Sequence, residues 1–349
     1  MKSNAAREFS LRYDILRGGV KYAEAKAVGS GAVSLDLRRK IKRIYSGDLV
    51  LPQEIQRLTD RLRPVLILDG EEYPLGHFIL TSVRQIREKG NFFCRCEGYG
   101  LCFLAQRTRI EEKLFIPAGE RYIDWIQALL RQCGVSSAIV EDSPEVFSTD
   151  REDWEIGTSV LDIINGLLDE ISYQSLWFDE DGAAHIGAIL EPSVKNIRHR
   201  YGPGRKDGYS LIKEAYIRED DLFDVCNVFI AQCENPELKT MMRAVSVNDD
   251  PDSLLSIFRQ GRIMAPPVRL DNISSQDALQ RYADRMCWQS MAASETTVIR
   301  TALNPRHRCG DILALEGDLA PGVYEEIGWA MELAPGGLME HTLRRILYI

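Results

Sequence analysis

Asp179, Glu180, Asp181 and His185 fall within the stretch SLWFDEDGAAHIG, Ser175 to Gly187. Carboxylates and imidazole are the groups a hydrolase uses to move protons and a metal centre uses as ligands. A second acidic group, Asp150, Glu152, Asp153 and Glu155, stands in STDREDWEIG. Glycosidases need two carboxyls facing each other across a bound sugar, and a run of adjacent acids makes no such pair by itself. Members of the two groups together would, so a carboxylate-based cell-wall glycan hydrolase using the Asp150 to Glu155 group with Asp179 or Asp181 is the enzymatic reading.

The spacing favours a structural role for each group. Asp181-Gly182, between strand-like flanks, supplies what a tight hairpin turn requires, with the acids keeping its tip wet. A calcium loop would spread its ligands over twelve residues and close on a glutamate, and neither fits. The acids from Asp150 to Glu155 read as a lead-in whose charge favours the N-terminus of a helix at Ser159. The histidines, His77, His185, His199, His307 and His341, do not pair at metal-ligand spacing. His307 and Cys309 stand two apart in PRHRCGD, but a lone pair cannot close a tetrahedral site. Cys94 and Cys96 in FFCRCEGYG, with Cys102 close by, read as small apolar residues on the buried side of a strand. GxxxxGK[ST], HExxH, GxSxG and CxxC are all absent, and YGPGRKDG lacks the strand and capped helix of a phosphate cradle. The expectation is therefore no catalytic, cofactor-binding or metal-binding residues, no cofactor, and no enzymatic activity.

The elements that must carry these residues are mostly strands. Length, 349 residues, suggests two or three domains. A net charge of −9 argues against holding nucleic acid by phosphate neutralisation and suits a surface that DNA passes without sticking. No apolar run spans a bilayer and no leader is visible at the N-terminus, so assembly is expected in the cytoplasm without membrane insertion. Eight cysteines in such a chain read as reduced. From Phe9 to Tyr99 the pattern gives a hairpin at Gly18-Gly19 and an alternating stretch from Val33 through Leu35, Leu37 and Arg39 to Ile41. A helical turn at Pro52 to Thr59 follows, then strands separated by Asp69-Gly70 and Lys89-Gly90, which is the spacing of a barrel or sandwich. RYIDWIQALLRQCG, ending at Gly134, and Thr158 to Ile171, opened by Ser159 and Asp162, read as helices, with short strands at SSAIVED and YQSLWF. Glu191 to Arg218 reads as a linker, DVCNVFIAQC as a strand and NDDPDSLLSIFRQGRIMAPP as a long loop. A third helix is opened by Ser274 and Asp277, and TTVIRTAL, GDILALEG, VYEEIGWAMEL and LMEHTLRRILYI close the chain as strands. The five tryptophans mostly fall in core patterns, which disfavours a carbohydrate-binding module.

In that order the elements resemble phage tail and baseplate hub proteins, related to the hub part of type VI secretion spike proteins. The resemblance rests on the helix SVLDIINGLLDEISY followed by the hairpin QSLWFDEDGAAHIG. It rests also on NVFIA, a loop, SSQDALQRYADRMCWQSM and VIRTALNPRHRCGDILAL, and on RLRPVLILDGEEYPLGHFIL in the first β-rich part. It implies an α+β, mainly β fold with two tail-tube-like β-barrel domains, 1–105 and 206–349, flanking a small α/β part, 106–205. It further implies a homotrimer around a central channel, adapting a sixfold tail tube to a threefold spike or fibre in the tail of a virion or tail-like particle. Its partners would be the tail tube or a tube-initiator protein, a spike or tail-tip protein, and the tape measure protein. Such hubs sometimes carry a fused lysozyme, peptidase or spike; this sequence stops soon after its last strand, so cleavage and piercing are expected from separate proteins.

Overall fold

The computed structural model describes residues 8–88, 91–189, 192–202, 217–220, 223, 225–235, 240–270, 273, 275–292, 295–308, 310–317 and 321–346. Among them the chain opens with β1 (Phe9–Arg17), β2 (Val20–Asp36), β3 (Arg43–Val50), β4 (Arg61–Leu68), β5 (Glu71–Pro74), β6 (Phe78–Glu88) and β7 (Asn91–Gly100). It continues with α1 (Cys102–Arg107), α2 (Tyr122–Gln132), β8 (Ala138–Val140), α3 (Val160–Glu170), β9 (Trp177–Phe178), β10 (Ala184–Ile186), β11 (Ile197–Tyr201) and β12 (Ile217–Asp220). Then come β13 (Val228–Asn235), β14 (Thr240–Val247), α4 (Ile257–Gln260), β15 (Val268–Leu270), α5 (Gln276–Ala292), β16 (Glu295–Ala302), β17 (Ile312–Leu315), β18 (Gly322–Leu333) and β19 (Leu338–Arg345). The protein is mainly β with helices, an α+β fold.

Turn chemistry sets the first strands. Gly18 and Gly19 both have positive φ, 58° and 83°, and Arg17 pairs with Val20, so two glycines make the hairpin turn whose twist matches its strands. Asp69 and Gly70, at 52° and 82°, repeat the device between Leu68 and Glu71. The alternation from Val33 to Ile41 is not one strand: β2 stops at Asp36 and β3 returns from Arg43. The Asp36 side chain accepts from Arg38 N at 3.0 Å, while Asp36 N donates to Lys42 O at 2.9 Å, so an Asx turn overrides the periodicity. No helix forms at Pro52 to Thr59 either, because the Asp60 carboxylate takes the Gln56 N–H at 2.7 Å and organises a series of turns.

The pairings β1–β4, β4–β6, β6–β7, β7–β3, β3–β2 and β2–β1 form a closed circuit. From β2 the sheet continues through β18, β19 and β16 to β12, with β17 and β11 off β18. One core follows it: Val33, Leu35, Tyr45, Leu66 and Phe78 pack with Trp329, Met331 and Met339 from the end of the chain. The middle of the chain packs α2 and α3 on the sheet β8-β10-β9 around Ile126, Leu130, Leu161, Ile164 and Leu168. Ser159 caps α3, accepting from Asp162 N at 3.1 Å, and Gly134 ends α2 at φ 79°.

A third unit, β14-β13-β15 under α5, holds Ala231, Cys233, Ala244, Leu279 and Ala283. Ser275 caps α5, accepting from Ala278 N at 3.1 Å; Ser274 and Lys89-Gly90 lie outside the described residues. The linker reading fails at β11, four of whose five residues pair in parallel with β17; 203–216 lie outside the described residues. The loop reading omits α4, a single turn at Ile257–Gln260. Trp329 is buried, whereas Trp125, Trp154, Trp177 and Trp288 are half-buried.

Two buried carboxylates tie the first circuit. Asp14 is fully buried between Arg12 (2.9 Å), Lys21 (2.7 Å) and Arg63 (2.8 Å). Burial pushes its carboxyl up, but these cations outweigh that and hold it at about 2. Arg17, with help from Gln56 N and Tyr22, holds Asp60 at about 2 as well. Folded values below the usual carboxylate range mean that these groups contribute stability fully above about pH 4, and lose it as pH falls towards 2. Urea midpoints measured from pH 6 down to 2 are expected to fall most steeply below pH 4, and Asp14→Asn to flatten that fall.

Candidate functional site

Among the acids singled out by sequence, Asp179, Glu180, Asp150 and Asp153 make structural contacts. Gly182 turns the 177–186 hairpin at φ 84°, as its position required. Its acids do not simply face water. Asp179 accepts from Asp181 N (3.1 Å), Ala183 N (2.8 Å) and His185 Nε2 (3.0 Å), and His185 in turn stacks on Trp177 at 3.9 Å. Burial raises the Asp179 carboxyl, but His185 and these amides leave it below its ordinary value. Glu180 binds Arg43 at 2.5 Å, and of the three acids Asp181 is the exposed one. In the second group Asp150 and Asp153 make contacts of their own away from the helix at Ser159. Asp150 accepts from Ala118 N at 2.8 Å and Asp153 pairs with Arg151, whose guanidinium also reaches Glu170 at 2.9 Å. The two groups are held by different partners.

Arg43 is the point where three parts of the chain meet. It lies on β3, donates to Leu75 O at 2.8 Å, pairs with Glu180 of the 177–186 hairpin, and sits 5.6 Å from the Trp329 ring of β18. Its side chain is 5% exposed, so the carbonyl, the carboxylate and the ring replace most of its water. Nearby, Lys42 Nζ donates to Ser175 Oγ at 2.7 Å and Lys40 pairs with Asp162. Arg285 of α5 reaches Asp169 of α3 at 2.7 Å, fastening the third unit to the middle one.

β18 makes the other junction. One edge pairs with β19 over Tyr324–Met331; the opposite edge pairs with β17 over Gly322–Glu325 and with β2 over Gly328–Leu333. Between these stretches Ile327 is an extra residue opposite β19. Glu326 N donates to Asp311 O (2.8 Å) on the β17 side, and Leu37 N donates to Ile327 O (2.9 Å) on the β2 side.

That bulge places the Glu326 side chain, fully buried, between two histidines. Oε2 lies 2.6 Å from His307 Nδ1 and Oε1 lies 2.5 Å from His341 Nδ1. Burial pushes the carboxyl up, yet the two imidazoles beside it hold it well below the usual range. His307 stacks on His199 at 3.9 Å, and His199 Nε2 meets Asp311 at 3.1 Å. Ligand atoms of His307, Glu326 and His341 lie within 4.8 Å of one another, as do those of His199, His307 and Asp311. Spacing along the chain concealed this, since the residues come from β11, the segment before β17, β18 and β19. A signal was present in EEIGWAMEL, where Glu326 stands beside the apolar run Ile327-Gly328-Trp329. Cys309 lies outside the described residues, while Cys94, Cys96 and Cys102 are buried and free.

A cavity of about 830 Å³ opens beside the seam. Its cations are mostly neutralised by neighbours: Arg38 by Asp36, Arg198 by Asp311 and Arg344 by Glu325. His77 is buried without a hydrogen-bond partner on either ring nitrogen, and burial, with Arg61 and Arg63, lowers it to about 4.

No family model matches the chain, and no curated protein matches it. Solved structures do. A tail protein from Neisseria meningitidis MC58 matches with a TM-score of 0.66 at 16% identity, over 96% of each chain. The 43 kDa tail protein of prophage MuSo2 from Shewanella oneidensis matches at 0.66 and 8% identity, over 96% of this chain and 98% of that one. The E. coli c3393 protein, a component of the type VI secretion system, matches at 0.53 and 9% identity, over 94% of this chain and 77% of that one. The fold is therefore one shared with phage tail proteins and a type VI secretion component. No helix among the described residues is long and apolar enough to cross a membrane.

Replacing Arg43 leaves Glu180 half-buried without its cation and Leu75 O without its donor. Arg43→Met is expected to cost about 1–3 kcal/mol in urea unfolding. Arg38→Met, which breaks a largely exposed pair with Asp36, is expected to cost less than about 1 kcal/mol.

Proposed function

We propose that the chain is a structural hub of a phage tail or a tail-like particle. The observation that carries this is a likeness to tail proteins that runs through nearly the whole of both chains, not through one shared module. A tail hub has to present tube-compatible β surfaces at fixed spacing. The closed β1-β4-β6-β7-β3-β2 circuit supports a first tube-like barrel, and β11, β12 and β16–β19 supply the strands of a second. Their fusion through β2–β18 would hold two such barrels at constant separation, with the α2–α3 part braced against them. In this reading 1–105 and 206–349 are the barrel domains and 106–205 the α/β domain, whose last strand, β11, crosses over to complete the second barrel beside β17.

Three copies then give six barrels around a channel, matching a sixfold tube above and a threefold spike or fibre below. The partners are the tail tube or its initiator, a spike or tail-tip protein, and the tape measure protein. The net charge of −9 is compatible with cargo passing without being held. The chain works by geometry and carries no reaction of its own; Asp179, Glu180, Asp150 and Asp153 are engaged in the fold, which disfavours the glycan hydrolase. Assembly in the bacterial cytoplasm precedes incorporation into the tail.

Mass measurement in solution and imaging of the isolated assembly check this directly. A threefold ring with six β lobes around an opening is expected. A chain that stays monomeric at high concentration, and joins no tube or spike protein on co-expression, would overturn the reading.

A further inference from the structure

We propose that His307, His341 and Glu326 bind a divalent transition-metal ion, with Zn²⁺ the ion of first choice, as a structural clamp at the bulge of β18. The inference stands on the geometry of these side chains and is independent of the tail-hub reading.

The outer hydrogen bonds fix where the protons lie. The Thr301 hydroxyl donates to Ala302 O at 2.8 Å, so its oxygen is left to accept from His341 Nε2, also at 2.8 Å. With Nε2 carrying the hydrogen, a neutral His341 ring presents a lone pair at Nδ1. That lone pair faces Glu326 Oε1 at 2.5 Å. Two acceptors held that close repel each other unless a cation lies between them. His307 Nε2 is 2.6 Å from Tyr201 Oη, a hydroxyl that accepts from Asn304 Nδ2 at 3.2 Å and can either donate to the ring or accept from it; ion binding selects the form in which Nε2 donates and Nδ1, 2.6 Å from Glu326 Oε2, is the ligand.

Imidazole nitrogens turned inward on a carboxylate, with a hydroxyl against the outer nitrogen of each ring, are the donor set of zinc and its neighbours in the transition series. Both oxygens of Glu326 face a ligand nitrogen, so two imidazoles and a chelating carboxylate supply four donor atoms from protein alone. All three side chains are fully buried, which leaves no open position for water or substrate and makes the role structural. The neutral donors and single carboxylate leave positive charge on the ion. Asp311, bound to His199 and Arg198 behind the His307 ring, is the next carboxylate out. An ion here joins the segment before β17 to β18 and β19 at the place where β18 changes partners.

The competing account places protons where the ion would be, with imidazolium rings on a buried carboxylate. Full-length protein stripped with chelator and dialysed distinguishes them. Calorimetric titration with ZnCl₂ is expected to show one ion per chain and a raised thermal midpoint, and CoCl₂ to give visible absorption bands of a low-coordinate nitrogen and oxygen site. Glu326→Gln, which keeps shape and hydrogen bonding, and His341→Gln are expected to lose both responses, with folding checked by circular dichroism. Thr301→Val, which removes only the outer acceptor, is expected to weaken Zn²⁺ about 10–100-fold. Wild-type protein that stays folded and takes up neither ion overturns the proposal even if the variants fail to fold. So does uptake that is unchanged in folded Glu326→Gln.

Discussion

Along one edge β18 is bonded to β19, and along the other it serves β17 and then β2. The first and the last strands of the chain are joined in one sheet at that change of partner. A strand can change partners along one edge only if the backbone groups at the changeover find other acceptors and donors, because unpaired buried amides are costly. Asp311 O and Leu37 N supply them, one from each side. The extra residue Ile327 gives the local bend. The outcome is a sheet that runs without interruption from the first strands of the chain to the last, backed by a core in which Leu35 and Val33 pack with Trp329 and Met331.

Polar residues concentrate where these parts meet. Arg43 with Glu180 and Arg285 with Asp169 each join two units, and Glu326 with two histidines lies where β18 changes partners. Apolar contact alone lets two packed surfaces slide by small amounts, whereas a charge-assisted hydrogen bond is directional and fixes position. For a protein proposed to set the spacing of two barrels in a ring, fixed position matters more than added stability. The acids that first suggested catalysis belong to the same pattern, since Asp179 shapes its own hairpin and Glu180 reaches across to Arg43.

Legibility differed with the range of the interaction. Glycine turns at 18–19 and 182, the helices over 122–132 and 160–170, and the closing strands were readable because local chemistry decides them. The stretch from Val33 to Ile41 misled because alternation persists through a turn that the Asp36 side chain closes. β11 was hidden in a polar, glycine-rich stretch, since a strand of IRHRY shows little apolar alternation and forms by pairing with β17, more than a hundred residues further along the chain.

By itself the sequence determined the class of the protein: mainly β ends, an α/β middle, capped helices and tight hairpins, each set by residues within a few positions of one another. Only the tertiary structure decided that both β-rich ends share a sheet, that Glu180 faces a buried arginine instead of solvent, and that His307, Glu326 and His341 converge. Those outcomes depend on which strand edges meet. Backbone hydrogen bonding is blind to side-chain identity, so the choice of edge is made by the packing of the whole core and leaves no local mark in the chain.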